Sequence, residues 1–117
     1  MRHVAEERVG TGGPAITEPV LLILSSLAEA PRHGYALIKD IEQMSSGRVR
    51  LSTGTLYGAL RRLLESGWIE PYESADTSRD KRFYRITHNG LGILEAEVKR
   101  LRELTRIAGA RLRVREA

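Results

Sequence analysis

The residues of this 117-residue chain best suited to chemistry are arginines and hydroxyl side chains between positions 48 and 62. The stretch contains four arginines and no acidic residue. An arginine guanidinium can donate two parallel hydrogen bonds to the edge of a guanine or to a phosphate, and hydroxyl groups can donate hydrogen bonds to phosphates. A block of one charge sign is typical of a surface that meets a nucleic-acid backbone, and an ordinary solvated face is the alternative interpretation. The hydroxyl-bearing members are Ser52, Thr53, Thr55 and Tyr57.

The sequence offers little for catalysis or metal binding. The chain has no cysteine, which excludes disulfides, thiolate metal sites and a cysteine nucleophile. His3, His33 and His88 are far apart in the chain and lack a carboxylate at metal-ligand spacing. Neither a nucleophile elbow nor a glycine-rich phosphate loop after a strand is present. We therefore expect a protein that is not an enzyme and uses no cofactor. For His33 we expect a structural role instead, as part of the cap of a helix.

Composition indicates one small globular domain. The chain is 41% hydrophobic and 29% charged, with a net charge of +4, and its length fits a single domain of up to ~150 residues. Its longest apolar run, residues 20–24, is far shorter than the ~20 residues of a membrane span. No secretory signal is recognisable. We expect a cytoplasmic protein without a membrane partner.

Two helices are predicted before the basic stretch. The glycine-rich residues 1–16 have no periodicity and are interpreted as a flexible arm. Thr17 is a candidate N-cap for a helix whose leucines recur at helical spacing up to Pro31. A second helix is expected to start near His33 and to end at residues 45–47.

The basic stretch itself predicts a third, amphipathic helix. Leucines 56, 60, 63 and 64 form one face, with Ser52 or Thr53 as N-cap and Gly67 after the last turn. The opposite face carries two glycines, each of which destabilises a helix by ~1 kcal/mol relative to alanine. Such a cost is understandable where the backbone of another molecule must approach closely. Alternatively, Gly54 precedes the helix and the arginines are merely solvated. The outer face consists of Gly54, Gly58 and Arg61, flanked by Thr55, Tyr57 and Arg62.

A hairpin is predicted after the third helix. Residues 68–72 and 82–87 have strand-like composition and are joined by a polar segment. Arg79, Lys81 and Arg82 are placed to contact a minor groove or a phosphate. Because Asp76 and Asp80 lie among them, a mixed-charge surface hairpin is equally compatible with the pattern.

A long closing helix is predicted by apolar residues at helical spacing. A helix of ~20 residues is ~30 Å long, and so small a domain cannot cover its whole apolar stripe. The simplest way to bury the stripe is against a second copy of the chain, in a symmetric dimer. Two-fold symmetry would place the third helices of the two copies ~34 Å apart on DNA, and it predicts a palindromic site. Packing back on the first helix is the alternative. The stripe is formed by Leu91, Leu94, Val98, Leu101 and Leu104.

This order of elements predicts a mainly α protein with a small β-hairpin, a winged helix-turn-helix followed by a long dimerisation helix. We assign a flexible arm to residues 1–16 and the winged helix-turn-helix to residues 17–87. The dimerisation helix is assigned to residues 88–110 and a basic tail to residues 111–117.

Five stretches of the chain match a known pattern: Leu22-Ile23-Leu24 with Leu27, His33-Gly34-Tyr35-Ala36-Leu37, residues 52–63 around Gly54-Thr55-Leu56-Tyr57, Gly67-Trp68-Ile69, and residues 82–90. In these stretches the sequence resembles the PadR family of winged helix-turn-helix regulators. The resemblance implies a dimeric transcriptional regulator, usually a repressor, whose C-terminal helix forms the dimer. The residues that the resemblance and the arginine pattern together assign to DNA contact are Tyr35, Ser52, Thr53, Thr55, Tyr57, Arg61, Arg62, Arg79, Lys81 and Arg82.

Two departures from the family pattern bear on function. Gly58 stands where the family commonly has proline, and all six aromatic residues precede the closing helix. Family members that bind flat drugs stack them on aromatics at the dimer interface, so such a site is not evident here. We expect double-stranded DNA and a second copy as partners, with any small-molecule effector unidentified. A protein–protein adaptor and a small-molecule sensor built on the same winged dimer are the alternatives.

Overall fold

The computed structural model describes residues 13–73 and 81–116. Within them lie a three-stranded antiparallel sheet and four helices, in the predicted order helix, helix, helix, hairpin, helix. The helices are α1 (Glu18–Glu29), α2 (Gly34–Met44), α3 (Thr53–Glu65) and α4 (His88–Glu116). The strands are β1 (Arg32–His33), β2 (Ile69–Tyr72) and β3 (Phe83–Ile86).

The predicted helix caps form at the starts of the first three helices. Thr17 Oγ1 accepts a hydrogen bond from Val20 N, and His33 Nδ1 accepts one from Ala36 N, each at 3.3 Å. Ser52 Oγ accepts from Thr55 N at 3.1 Å, which selects Ser52 over Thr53 as the cap of α3. Each bond satisfies a first-turn amide that has no acceptor within its helix.

The core forms where the apolar faces of α1, α2 and α3 meet the hairpin. Leu56, Leu60 and Leu63 are buried, so the predicted inner face of α3 is the observed one. Because that face is fixed by packing, the outer face of α3 is turned away from the protomer. The other buried apolar residues are Val20, Ile23, Leu24, Leu27, Leu37, Ile41, Ala59, Trp68, Ile69 and Tyr84.

Strand β1 is an element that the sequence did not predict. It pairs with β3, with Arg32 opposite Tyr84 and His33 opposite Phe83, which gives the strand order β1-β3-β2. Two residues are too few to show a period of two, so this pairing has no sequence signature. It ties the start of α2 to the hairpin.

The predicted ends of the chain need two corrections. Helix α4 continues to Glu116, so the segment from residue 111 is helical and is not a separate tail, because arginine and leucine favour helix and cations are stabilised at helix C-termini. At the other end, Ile16 packs against the core and Gly13 lies against Trp68. Residues 13–16 therefore belong to the folded domain, and the rest of the predicted arm lies outside the described residues.

Helix α4 is joined closely to the end of α3. Thr87 N donates to Trp68 O at 3.0 Å, and Thr87 Oγ1 donates to Gly67 O at 2.6 Å. Gly90 N donates to Thr87 Oγ1 at 3.0 Å, and a Cβ at Gly90 would lie only 3.0 Å from the Trp68 carbonyl carbon. These contacts form a joint, defined as residues 67–68 with residues 87–90, that fixes where α4 leaves the domain.

Only the first part of α4 packs on its own domain. Ile93 and Leu94 pack against the core, and α4 contacts α1 and β3. Beyond these residues apolar side chains are exposed, including Leu104 at 49% and Leu112 at 60%. The start of the helix thus packs on α1, as the alternative interpretation predicts, whereas its later turns present an uncovered stripe, and the second copy that would cover it stays a prediction. In the described parts of the chain, no helix has the length and apolarity needed to cross a membrane.

Candidate nucleic-acid interface

The outer face of α3 is open to solvent along its whole length. Its polar side chains project away from the core while the leucines between them are buried. The predicted site residues on this face are all exposed: Ser52, Thr53, Thr55, Tyr57, Arg61 and Arg62. A convex, polar helix face of this kind has the shape that enters a major groove.

The two glycines of this face have no packing role within the described structure. A Cβ added at Gly54 would meet nothing within 4 Å, and one added at Gly58 would meet only Arg62 Nη1 at 3.9 Å. Because α3 begins at Thr53, Gly54 belongs to the helix and the loop interpretation is wrong. Small residues on a helix surface permit the backbone of a second molecule to approach closely.

The hydroxyls at the start of α3 are partly committed to the helix itself. Ser52 Oγ, besides capping Thr55 N, donates to Thr55 Oγ1 at 3.0 Å. The hydroxyl of Thr55 keeps a proton to donate to an acceptor outside the chain. The α3 N-terminus also carries the positive end of the helix dipole, which favours a neighbouring phosphate.

Ion pairs divide the arginines of the basic stretch into two groups. Arg48 pairs with Glu18, and Arg50 Nε lies 3.5 Å from Glu42 Oε2. Arg61 and Arg62 form no ion pair with another described residue. Within residues 48–62, the arginines that have no ion pair to another described residue therefore both lie on α3, a division that the run of like charge in the sequence did not reveal.

Tyr57 reaches from α3 across the first turn of α2. Its hydroxyl lies against Gly34, where an added Cβ would also be only 2.8 Å from Tyr57 Cζ. The ring remains 44% exposed. Burial raises the pKa of Tyr84, the neighbouring Tyr57 raises it further, and Arg82 opposes both effects. These three side chains therefore lie close together where α3 meets the hairpin.

A cleft of about 480 Å³ opens beside Tyr57, and the structure reveals its lining where sequence reasoning did not. His33 closes one side, with its ring edge-on to Phe83 at 5.2 Å between centroids. Burial, and then the Lys81 ammonium, lowers the pKa of His33. The His33-Gly34-Tyr35 motif marked part of this site, although only Tyr35 was assigned to it. The lining residues are His33, Gly34, Tyr35, Tyr57, Lys81 and Arg82.

The remaining predicted contacts surround this cleft. Tyr35 is 66% exposed, and the Lys39 ammonium lies 5.9 Å from its ring centroid. Lys81 and Arg82 are exposed at the base of the hairpin. Arg79 lies outside the described residues. The structure thus brings Tyr35, Tyr57, Lys81 and Arg82 together beside α3.

The predicted dimer residues occupy a separate surface on α4. Leu91, Val98 and Leu104 are exposed, whereas Leu94 and Leu101 are half-buried. A depression of about 810 Å³ passes along this helix and is lined by residues of α4 alone. With walls from one helix, it is an open face and not an enclosed ligand cavity.

Comparisons with known proteins agree with this geometry. Residues 23–96 match the profile of the transcriptional regulator PadR-like family. A PadR family transcription regulator from Clostridium difficile is 26% identical with a TM-score of 0.68, over 82% of this chain and 99% of that one. A PadR family transcriptional regulator from Eggerthella lenta is 30% identical with a TM-score of 0.64, over 94% and 88% of the two chains.

A curated relative extends well beyond the matched region. An uncharacterized 37.1 kDa protein in transposon TN4556 of Streptomyces fradiae is 38% identical over 85 residues. The match covers 73% of this chain but only 23% of that protein. The likeness therefore concerns less than a quarter of the length of that protein.

Proposed function

This chain belongs to the PadR-like family of transcriptional regulators, and from that premise we propose that it is a repressor that binds a palindromic operator as a homodimer. The family establishes transcription regulation through a DNA-binding winged helix. The proposal adds the repressor output, the two-fold operator and the dimer.

The observation that carries the proposal is the outer face of α3. It combines arginines without an ion pair to another described residue and two glycines that no contact among the described residues requires. A helix with this surface suits a groove floor, where a guanidinium can read guanine through paired hydrogen bonds. Arg61, near the middle of the face, is the residue we assign to base recognition, with Arg62 directed to the phosphate backbone.

The proposed dimer uses the uncovered stripe of α4. The helix has 29 residues, which corresponds to about 44 Å at ~1.5 Å per residue. An exposed apolar stripe on a helix that leaves its domain is readily covered by the same stripe of a second copy. Two-fold symmetry would place the two α3 helices ~34 Å apart on one side of the duplex.

Selection of bound fragments from genomic DNA, followed by mobility shift at ~150 mM salt, tests the proposal. We expect Arg61→Ala to lose about 1–3 kcal/mol on the selected operator and to relax the preference at one base pair per half-site. The matched control is Arg85→Ala, which removes an exposed arginine of β3 that is already paired with Glu70 and should bind as the wild type does.

Two results would contradict this assignment. Equal losses by Arg61→Ala on operator and on unrelated DNA would place Arg61 on the phosphate backbone. Binding of the wild type that shows no sequence preference would refute the operator itself. Recovery of a stoichiometric protein partner in that case would favour the adaptor alternative.

A further inference from the structure

We propose that a polar cluster formed by Ser26, Arg32 and Asp40 positions the hairpin for DNA binding, and that Arg32 is its central positioning residue. The cluster joins α1, β1 and α2, and none of its members lies on the outer face of α3. The inference rests on DNA binding by the winged helix and is independent of the repressor output and of the palindrome.

The cluster is built around a buried hydroxyl. Ser26 of α1 is buried, and its Oγ donates a hydrogen bond to Asp40 Oδ2 of α2 at 2.5 Å. Arg32 Nε lies 3.6 Å from the same carboxylate oxygen, and the side chains of Arg32 and Asp40 are half-buried. Among the described residues, no buried side-chain nitrogen or oxygen lacks a hydrogen-bond partner. Removal of one member would therefore leave a partner unsatisfied where two helices pack together.

Arg32 also closes the end of α1. Its Nε donates to the Ser26 carbonyl oxygen at 3.3 Å, and its Nη2 donates to Glu29 Oε1 at 2.8 Å. The last four carbonyls of a helix lack amide partners within that helix. Helix α1 has no basic residue in its last turn and is followed by Ala30 and Pro31 instead of a glycine. The guanidinium from β1 therefore supplies the positive charge that stabilises a helix C-terminus.

Strand β1 passes this anchorage on to the hairpin. Arg32 is paired with Tyr84 and His33 with Phe83 in the sheet, and the His33 ring lies edge-on to the Phe83 ring. A strand of two residues is too short to keep its position through backbone pairing alone. The polar cluster therefore determines where β1, and with it β3, lies relative to α2.

The position of the hairpin decides whether two surfaces can meet one duplex together. Lys81 and Arg82 immediately precede β3, whereas Arg61 lies on the outer face of α3. Contacts to phosphates fix the register in which a protein meets the bases. A displaced hairpin would therefore weaken binding to the preferred sequence more than binding to unrelated DNA.

An effect of charge alone would have the opposite sign for one variant. Asp40→Asn removes a negative charge, which would strengthen DNA binding if Asp40 acted only through its long-range field. Because Asp40→Asn also breaks the ion pair with Arg32, the positioning role predicts binding to the operator weakened about tenfold. Arg32→Lys keeps the charge but lacks the planar fork that reaches two acceptors, and it should weaken binding by a similar factor. The matched control is Glu42→Gln, which removes the same charge from α2 outside the cluster and should bind at least as tightly as the wild type.

The first arm of the test observes the hairpin without DNA. The chain contains one phenylalanine, so incorporation of para-fluorophenylalanine gives a single fluorine NMR resonance, from Phe83 beside His33. We expect Asp40→Asn and Ser26→Ala to move the resonance of the folded protein in the same direction, because each loosens the cluster that holds β1. Glu42→Gln should leave it in place. A loss of stability alone would add the resonance of the unfolded chain without moving that of the folded protein.

The second arm measures binding of the full 117-residue chain to the selected operator and to unrelated DNA at ~150 mM salt. Arg32→Lys and Asp40→Asn should each lose more affinity for the operator than for unrelated DNA. The double variant should lose less than the two single losses combined, because both substitutions break the same network. If Arg32→Lys does not fold, Asp40→Asn and Ser26→Ala decide the result.

The outcomes separate the polar cluster from the proposed function. An unmoved Phe83 resonance in Asp40→Asn and Ser26→Ala overturns the proposal, whether or not the wild type prefers any DNA sequence. A moved resonance with the operator affinity of the wild type also overturns it, because the position of the hairpin would then not govern binding. A moved resonance with an equal loss of affinity on all DNA supports the positioning role and refutes the sequence-specific operator.

Discussion

Substitution of Gly90 by alanine tests the joint between the winged domain and α4. The added methyl would lie 3.0 Å from the Trp68 carbonyl carbon and 2.8 Å from Ile86 Cγ1. The Trp68 backbone is also the acceptor for Thr87 N, so it cannot move away without loss of that hydrogen bond. Overpacking against groups that cannot yield costs about 1–3 kcal/mol. We expect Gly90→Ala to be less stable by this amount than an alanine substitution in α4 whose methyl meets no neighbour.

Gly92→Ala provides a matched control two residues further along α4. Its methyl would meet nothing within 4 Å, and alanine in a helix is about 0.5–1 kcal/mol more stable than glycine. Because both substitutions gain helix propensity in α4, that gain cancels, and the two variants should differ by the overpacking cost of about 1–3 kcal/mol. Urea denaturation at one fixed protein concentration measures the difference, because dimerisation would couple stability to concentration.

Equal unfolding midpoints for the two alanine variants would contradict this prediction. Equal midpoints would mean that the joint relaxes freely around a new methyl. The predicted stability difference should also appear in thermal denaturation, as a difference in Tm of about 4–8 °C per kcal/mol for a domain of this size. Operator affinity measured below the unfolding transition should change less than stability, because α3 itself is untouched.

Two further predictions concern His33 and α4. Burial is the main reason why the pKa of His33 in the folded protein lies below its ordinary value of 6.5. The unfolded chain therefore binds the His33 proton more readily than the folded protein does. As a result, the contribution of His33 to stability is present above pH 6.5 and decreases as the pH falls below it. His33→Asn keeps a capping side chain but has no group that titrates in this range. Urea denaturation at pH values from 7.5 to 5.5 should show that the wild type loses stability relative to this variant. If the free energies of unfolding of the two proteins changed in parallel with pH, the prediction would be wrong. In sedimentation equilibrium, Leu104→Glu should convert the proposed dimer to a monomer because it places a charge in the uncovered stripe, whereas Ala110→Glu, on the other side of α4, should leave the dimer intact. Retention of the dimer by Leu104→Glu would move the interface elsewhere.

The inner half of the domain follows from local patterns in the sequence. Leu56, Leu60 and Leu63 recur at helical spacing, and this spacing alone was sufficient to predict which face of α3 is buried. Ser52 and Gly67 bounded the same helix because capping and positive φ are local requirements. The orientation of Arg61 followed from these residues without any long-range information.

Contacts between distant segments could not be obtained in the same way. The pairing of Arg48 with Glu18 joins residues 30 positions apart, and the approach of Tyr57 to Gly34 joins two helices. Each depends on the angle at which elements pack, which no single segment encodes. The charge block therefore overstated the free positive surface, and the cleft had no sequence signature beyond the glycine itself.

The hydrogen-bonded joint at residues 67–68 and 87–90 has a mechanical consequence for the proposed dimer. Since two hydrogen bonds and a glycine contact join residues 67–68, just after α3, to the start of α4, α3 and α4 should turn together as one lever. A signal that alters the separation of the two DNA-reading helices must then act where the α4 helices of the two subunits cross. A rotation there of a few degrees would be magnified along the lever and would misalign one half-site against the other.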